Sequence, residues 1–190
     1  MNNPIISQIF TDQDFSNKKL SSKEYDNCTF TNCDFTEGDI SVVTFLECTF
    51  TDCNFTEVMM KQAAFRDACL FDNCKLLGAN FSDCDDFMFS VAYKGCMLDY
   101  ASFYGFELKN TQFIDCKLVG TDFTKAIITG SSFINCDFTN AVFEQTNAEK
   151  VDFSSAFNFD IDPIQNKLKK AKFSKEGLIG LLMKYDLIVK

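Results

Sequence analysis

Ten cysteines and 27 acidic residues are the chemically capable side chains of this 190-residue chain, which has no histidine. Six of the thiols, Cys33, Cys53, Cys74, Cys96, Cys116 and Cys136, follow one another at steps of 20, 21, 22, 20 and 20 residues. A zinc or redox site needs thiolates within one turn of chain, as in Cys-x-x-Cys, whereas the closest cysteines here have four residues between them. The spacing favours small apolar side chains that fill an interior once per structural repeat. With no signal-type leader, they are expected as reduced thiols in a cytoplasm.

Catalysis has little to stand on. Without histidine the commonest general base is missing, and neither a strand-turn-helix nucleophile nor a phosphate-cradling glycine loop is present. Adjacent carboxylates such as Asp85 and Asp86 read as solvated corner acids. The chain is expected not to be an enzyme and to hold no cofactor and no metal.

What positions these groups is a beat of five. From Phe10 through Phe15, Leu20, Tyr25 and Phe30 to Phe65 and Leu70, every fifth residue is large and apolar. A second run goes from Tyr93 through Leu98 and Phe103 to Phe153, with only Ala148 small. A helix repeats at about 3.6 residues and a strand at 2, so neither keeps these side chains on one face. The chain must turn a corner every five residues, as a solenoid with short flat sides does. Each cysteine of the series lies two before a beat residue, a position held almost everywhere else by a small residue such as Ala, Val, Gly, Ser or Thr. A step of 20 therefore means four sides per coil. About seven coils result, ~34 Å tall at ~4.8 Å per coil.

The expected architecture is an all-β solenoid, a quadrilateral β-helix over residues 10–160, with an N-terminal cap over 1–9 and a C-terminal module over 161–190. The two runs are out of register. One extra residue is expected between Leu70 and Leu76 and two more before Tyr93, with 85–89 as an outward bulge. In the tail Ser174 is a candidate N-cap, Leu178, Leu181, Leu182 and Tyr185 follow at helical spacing, and Leu187-Ile188-Val189 reads as a short strand.

Charge is unevenly spread. Residues 1–160 carry 11 bases and 24 acids, a net −13, whereas residues 161–190 carry 7 and 3, a net +4. Between Lys23 and Lys61 there are eight acids and no base. Such a surface repels nucleic acid and anionic membrane, and no apolar stretch of about 20 residues could span one. It attracts proteins with basic grooves. The period of 20 lines up Asp12, Asn32, Asp52, Asp72, Gly95, Asp115 and Asn135, with Glu37 and Glu57 on the next side and Glu47 and Asp67 on the one before. Two readings stand: these acids are good turn residues, or they form a partner-binding surface.

Segments such as Cys33-Asp34-Phe35, Ala79-Asn80-Phe81, Thr121-Asp122-Phe123 and Cys136-Asp137-Phe138 match the repeat A-(D/N)-(L/F)-x-x. Over residues 10–156 the chain resembles the pentapeptide-repeat family, which implies a right-handed quadrilateral β-helix. The segment 180–189 and the coils from Asn32 to Phe81 look similar to the Qnr-type and mycobacterial fluoroquinolone-resistance branch. That likeness implies a homodimer joined through the C-terminal module, with Leu178, Leu181, Leu182, Tyr185, Leu187, Ile188 and Val189 at the join. It also implies DNA mimicry directed at DNA gyrase or topoisomerase IV, with no direct binding of nucleic acid. Qnr-type proteins throw many-residue loops from two coils, and the one or two extra residues here point instead to a loopless, inhibitor-like mode. A scaffold for some other basic protein is the alternative expectation, and a tail that only caps its own chain is the alternative to pairing.

Overall fold

A computed structural model describes residues 3–185 and Leu187. The five-residue side is made at its corners. The residue two past most beat positions adopts a left-handed backbone, for example Asp12 (φ 53), Asn32 (φ 52), Glu37 (φ 52), Val42 (φ 57) and Asp52 (φ 54). One such residue between short extended stretches swings the chain into the next side and leaves the beat residue pointing inward.

The strands are parallel throughout. Ile5–Ile6 (β1), Glu24–Asp26 (β3), Thr44–Leu46 (β5) and Ala64–Arg66 (β7) form a four-stranded sheet on one side. The next side is a seven-stranded sheet of Ile9–Thr11 (β2), Thr29–Thr31 (β4), Thr49–Thr51 (β6), Cys69–Asp72 (β8), Val91–Lys94 (β9), Gln112–Ile114 (β10) and Ser132–Ile134 (β11). The other two sides are joined by single parallel bridges such as Asp14 to Asp34 to Asn54 and Lys19 to Asp39 to Met59. Four sides and a register step of 20, as in Phe10 with Phe30 and Phe30 with Phe50, are those expected from the beat.

The interior is a set of ring stacks. Phe10, Phe30, Phe50, Phe71, Tyr93, Phe113, Phe133, Phe153 and Phe173 lie one above the next with centroids 4.7 to 5.5 Å apart. That is close to the ~4.8 Å strand spacing, so the backbone ladder and the offset ring stack reinforce each other. The thiols are free, and nine of the ten are buried, with Cys84 half-buried. Those of the series cross to the coil below: Cys53 Sγ donates to the Phe30 carbonyl at 3.4 Å and Cys74 Sγ to the Phe50 carbonyl at 3.3 Å.

The insertions differ from expectation in place. Phe71, not Leu70, faces inward, pairing with Phe50 and Tyr93, and Leu70 lies half-buried on the outer surface. The extra residue therefore falls before position 71, where Asp67 (φ 55) and Ala68 (φ 65) make two successive left-handed turns. Cys69, two before Phe71, keeps the pairing of a small with a large side chain, as Ala68 would before Leu70, and the stack of Phe71 on Phe50 and Tyr93 decides between them. The second insertion is the expected bulge. Phe87 (64%) and Met88 (61%) project outward, and Phe89 folds back to pack edge-on against Phe106 at 4.9 Å. Phe106 occupies the place of a small residue and fills volume that the bulge vacates. Both insertions lie at the same corner, in successive coils.

The ends also differ. Ile5 and Ile6 pair with Tyr25 and Asp26, so residues 5–9 are the first rung and not a cap. At the other end the ladder passes the expected limit at 160: Asn147 bridges Lys167, Asp152 bridges Lys172, and Phe173 stacks on Phe153. The tail forms 3-10 turns over Glu176–Leu181 and Met183–Tyr185 in place of an α-helix. Gly180 lies so close to Phe159 that a Cβ there would overlap the Phe159 carbonyl and ring, and the Gly180 carbonyl accepts from Ile161 N at 2.9 Å. Ser174 does act as a cap, accepting from Gly177 N at 2.9 Å. Leu187 is not in a strand; Ile188 and Val189 lie outside the described residues.

Candidate functional site

The acids divide into two groups by their place on the side. Those just before a beat residue brace the turn. Asp14 Oδ1 accepts from Ser16 N (2.9 Å) and Ser16 Oγ (2.6 Å), and Asp34 (with Thr36), Asp39 (with Ser41), Asp137 (with Thr139) and Asp152 (with Ser154) repeat the contact. Hydrogen bonds from Ser16 and the nearby Lys18 hold the Asp14 carboxyl at about 2, and those from Ser41 and Ser154 lower Asp39 and Asp152. This is the Asx-turn chemistry behind the repeat's Asp or Asn, and it leaves these acids a structural task.

The second group sits at the left-handed corners. One column runs Asp12, Asn32, Asp52, Asn73, Gly95, Asp115 and Asn135. Asp72, expected in it, is displaced by the insertion: it is half-buried in β8 and pairs with Lys94 Nζ at 3.4 Å. Within the column amides alternate with carboxylates. Asn32 Nδ2 donates to Asp12 (2.6 Å), Asn73 Nδ2 to Asp52, and Asn135 Nδ2 to Asp115 (3.1 Å). The carboxylates of the column are thus spaced out and bridged.

Glu37, Glu47, Glu57 and Asp67 are exposed at the other corners, with φ of 52, 49, 53 and 55. Asn, Asp and Gly tolerate this backbone, whereas glutamate gains nothing local from it, at a cost of about 1–2 kcal/mol per residue. Among the described residues none of Asp12, Glu37, Glu47, Asp52, Glu57, Asp67 and Asp115 makes an ion pair. Of the eight acids between Lys23 and Lys61, Asp39 is paired with Lys19 at 3.2 Å; the other seven occupy ~9 Å of rise, one charge per ~1.3 Å, denser than the ~1.7 Å of duplex DNA. The charge is not all round, however. The outer face of the seven-stranded sheet presents Thr29, Thr31, Thr49, Thr51, Ile114 and Ile134, and its only charges are the paired Asp72 and Lys94.

The thiols contribute packing. Burial pushes Cys48 up to about 12 and Cys69 up to about 11, so neither is a thiolate at neutral pH. No group of three His, Cys, Asp or Glu side chains among the described residues could hold a metal ion. No described helix is long and apolar enough to cross a membrane.

In the tail Leu181 packs against the core, while Leu178, Leu182, Tyr185 and Leu187 are exposed. Ile179 and Met183 of the tail and Val142 and Phe157 of the last coils are among the residues that line a cleft of about 1190 Å³. The Lys184 Nζ to Asp162 Oδ2 ion pair, 2.6 Å, ties the tail to the last coil. Sequence reasoning missed one further feature, the contact of Arg66 with the bulge. Its signal was available in the step of 20, which places residue 66 beside the 85–88 segment.

Fold and surface together define a repeat β-solenoid with an acidic, unpaired set of corners. The model of the pentapeptide repeat region matches residues 23–103, 86–156 and 106–180, and the chain belongs to the pentapeptide-repeat family. No curated protein sequence matches it. Among solved structures it is similar to a trypsin-treated form of QnrB1, a plasmid-mediated fluoroquinolone resistance protein, at 23% identity, with 95% of this chain and 99% of that chain covered and a TM-score of 0.58. Full-length QnrB1 matches at 19% identity over 97% of this chain and 100% of that chain, TM-score 0.56. At these identities the likeness establishes the solenoid fold, and no enzyme family is indicated.

Proposed function

We propose that this chain is a non-enzymatic binding protein whose acidic corners enter the DNA-binding groove of a type II topoisomerase, DNA gyrase or topoisomerase IV, in place of DNA. One observation carries the reading: Glu37, Glu47 and Glu57 sit exposed and without an ion pair at left-handed corners of the stretch between Lys23 and Lys61, which holds eight acids and no base. Acids kept where they cost stability are accounted for by a partner that needs their charge. The local charge density suits a groove built for a phosphate backbone. The exposed Leu178, Leu182 and Tyr185 support a homodimer through the tail, since a rod twice as long covers more of a saddle.

A supercoiling assay with purified gyrase, with and without a fluoroquinolone, is the test. Inhibition of supercoiling that weakens when Glu37, Glu47 and Glu57 are all changed to Gln is the expected result. No effect on either reaction removes the topoisomerase reading. The neutral face of the seven-stranded sheet, unlike anything on duplex DNA, then favours the second reading, a scaffold for a different basic protein.

A further inference from the structure

We propose that the bulge at 85–88 is the anchor by which the rod engages its partner: Phe87 inserts into an apolar pocket, rimmed by Lys or Arg, on the bound protein. The inference rests on the proposed basic partner and deepens it. Its grounds are the make-up of the bulge. A corner that only absorbs two extra residues calls for Gly, Asn or Ser, and this one presents Phe87 and Met88, 64% and 61% exposed. Aromatic and methionine side chains are enriched at protein interfaces relative to the rest of the surface.

The tip is also held in one shape. Arg66, on the coil below, donates from Nη2 to Asp85 Oδ2 (2.7 Å) and from Nε to the Phe87 carbonyl (3.3 Å), and its guanidinium lies 5.6 Å from the Phe87 ring centroid. Phe87 N donates to Asp85 Oδ1 at 3.0 Å, closing the turn, and Phe89 pins the far side in the core. An aromatic group ordered before binding loses less entropy on docking. Around it Asp67, Asp83 and Asp86 carry no ion pair among the described residues, so the local field calls for a basic rim and disfavours an acidic partner.

The test uses the full chain, intact gyrase, and the variants Phe87→Ser, Phe87→Trp and Arg66→Ala. Phe87→Ser is expected to melt as the parent does, because its ring is outside the core, and to weaken inhibition at least tenfold. Phe87→Trp retains inhibition. Arg66→Ala, a positioning change, weakens it less than Phe87→Ser does. Unaltered inhibition by Phe87→Ser, alongside weakened inhibition by the Glu37, Glu47 and Glu57 triple variant, overturns the anchor and leaves the acidic surface standing. A parent protein without effect on gyrase removes both.

Discussion

Asn73 stands on Asp52, its amide donating to the Asp52 carboxylate one coil below, at the height where the sequence period alone puts Asp72. A single inserted residue thus exchanges a repulsive pair for a hydrogen-bonded one. Asn73→Asp restores the repulsion, ~0.9 kcal/mol for charges ~4.8 Å apart in water, and removes the bond, so a loss of about 1–2 kcal/mol is expected. Urea unfolding of the variant at neutral pH measures it. An unchanged midpoint would show that the bridge contributes nothing.

Tyr93 is the reverse case. Its ring stacks between Phe71 and Phe113, and its hydroxyl is the only buried side-chain polar atom among the described residues without a hydrogen-bond partner. Burial pushes its ionisation well above the ordinary range. Tyr93→Phe keeps the ring stack and removes the desolvated oxygen, and a gain of about 1 kcal/mol is expected in equilibrium unfolding. A loss of that size would mean that the hydroxyl has found a partner in solution.

The corner glutamates set stability against binding. Replacing Glu37, Glu47 or Glu57 by Asn, which accepts the left-handed backbone, is expected to raise stability by about 0.5–1 kcal/mol per site. The same changes weaken inhibition of supercoiling. Thermal melting and the supercoiling assay on the same samples compare the two, and variants that gain in both would remove the reason for retaining acids there.

Acid should act through the turn-bracing carboxyls. Asp14, Asp39 and Asp152 titrate below their ordinary value of 3.8 in the folded chain, Asp14 at about 2. A folded value below the unfolded one adds stability that is complete above the unfolded value and is lost as pH falls through the folded one. Between pH 5 and 2, a chain with Ser41→Ala and Ser154→Ala should therefore lose less stability than the parent, because its Asp39 and Asp152 begin nearer 3.8. Parallel curves for the two proteins would contradict the assignment.

The thiols should be inert until the coils open. With nine of ten buried, a thiol-reactive dye is expected to reach Cys84 first and the others only on unfolding. Rapid native labelling of all ten would place them outside the interior.

The beat of five with the cysteine step of 20 was enough for the four-sided coil, because each side closes through local sterics: one large side chain inward, one small beside it, one left-handed corner. The bracing role of Asp34, Asp39 and Asp152 was equally local, being written in the Ser or Thr two residues on. What only the tertiary structure decided are matters of register between coils. Leu70 and Phe71 are interchangeable to a local reading, and the stack on Phe50 and Tyr93 selects the second. That choice moves Asp72 out of the corner and brings Asn73 in. The tail, too, is read from its spacing as an α-helix, yet the close seat of Gly180 on Phe159 and the bond from Ile161 accompany 3-10 turns. The clamp of Arg66 on Phe87 joins residues a coil apart, and its geometry belongs to no single repeat. Sequence alone determined the rod and its charge, since both sum over local choices. Which acids stand unpaired, and what projects from the rod, depended on coil-to-coil contacts that no single repeat contains.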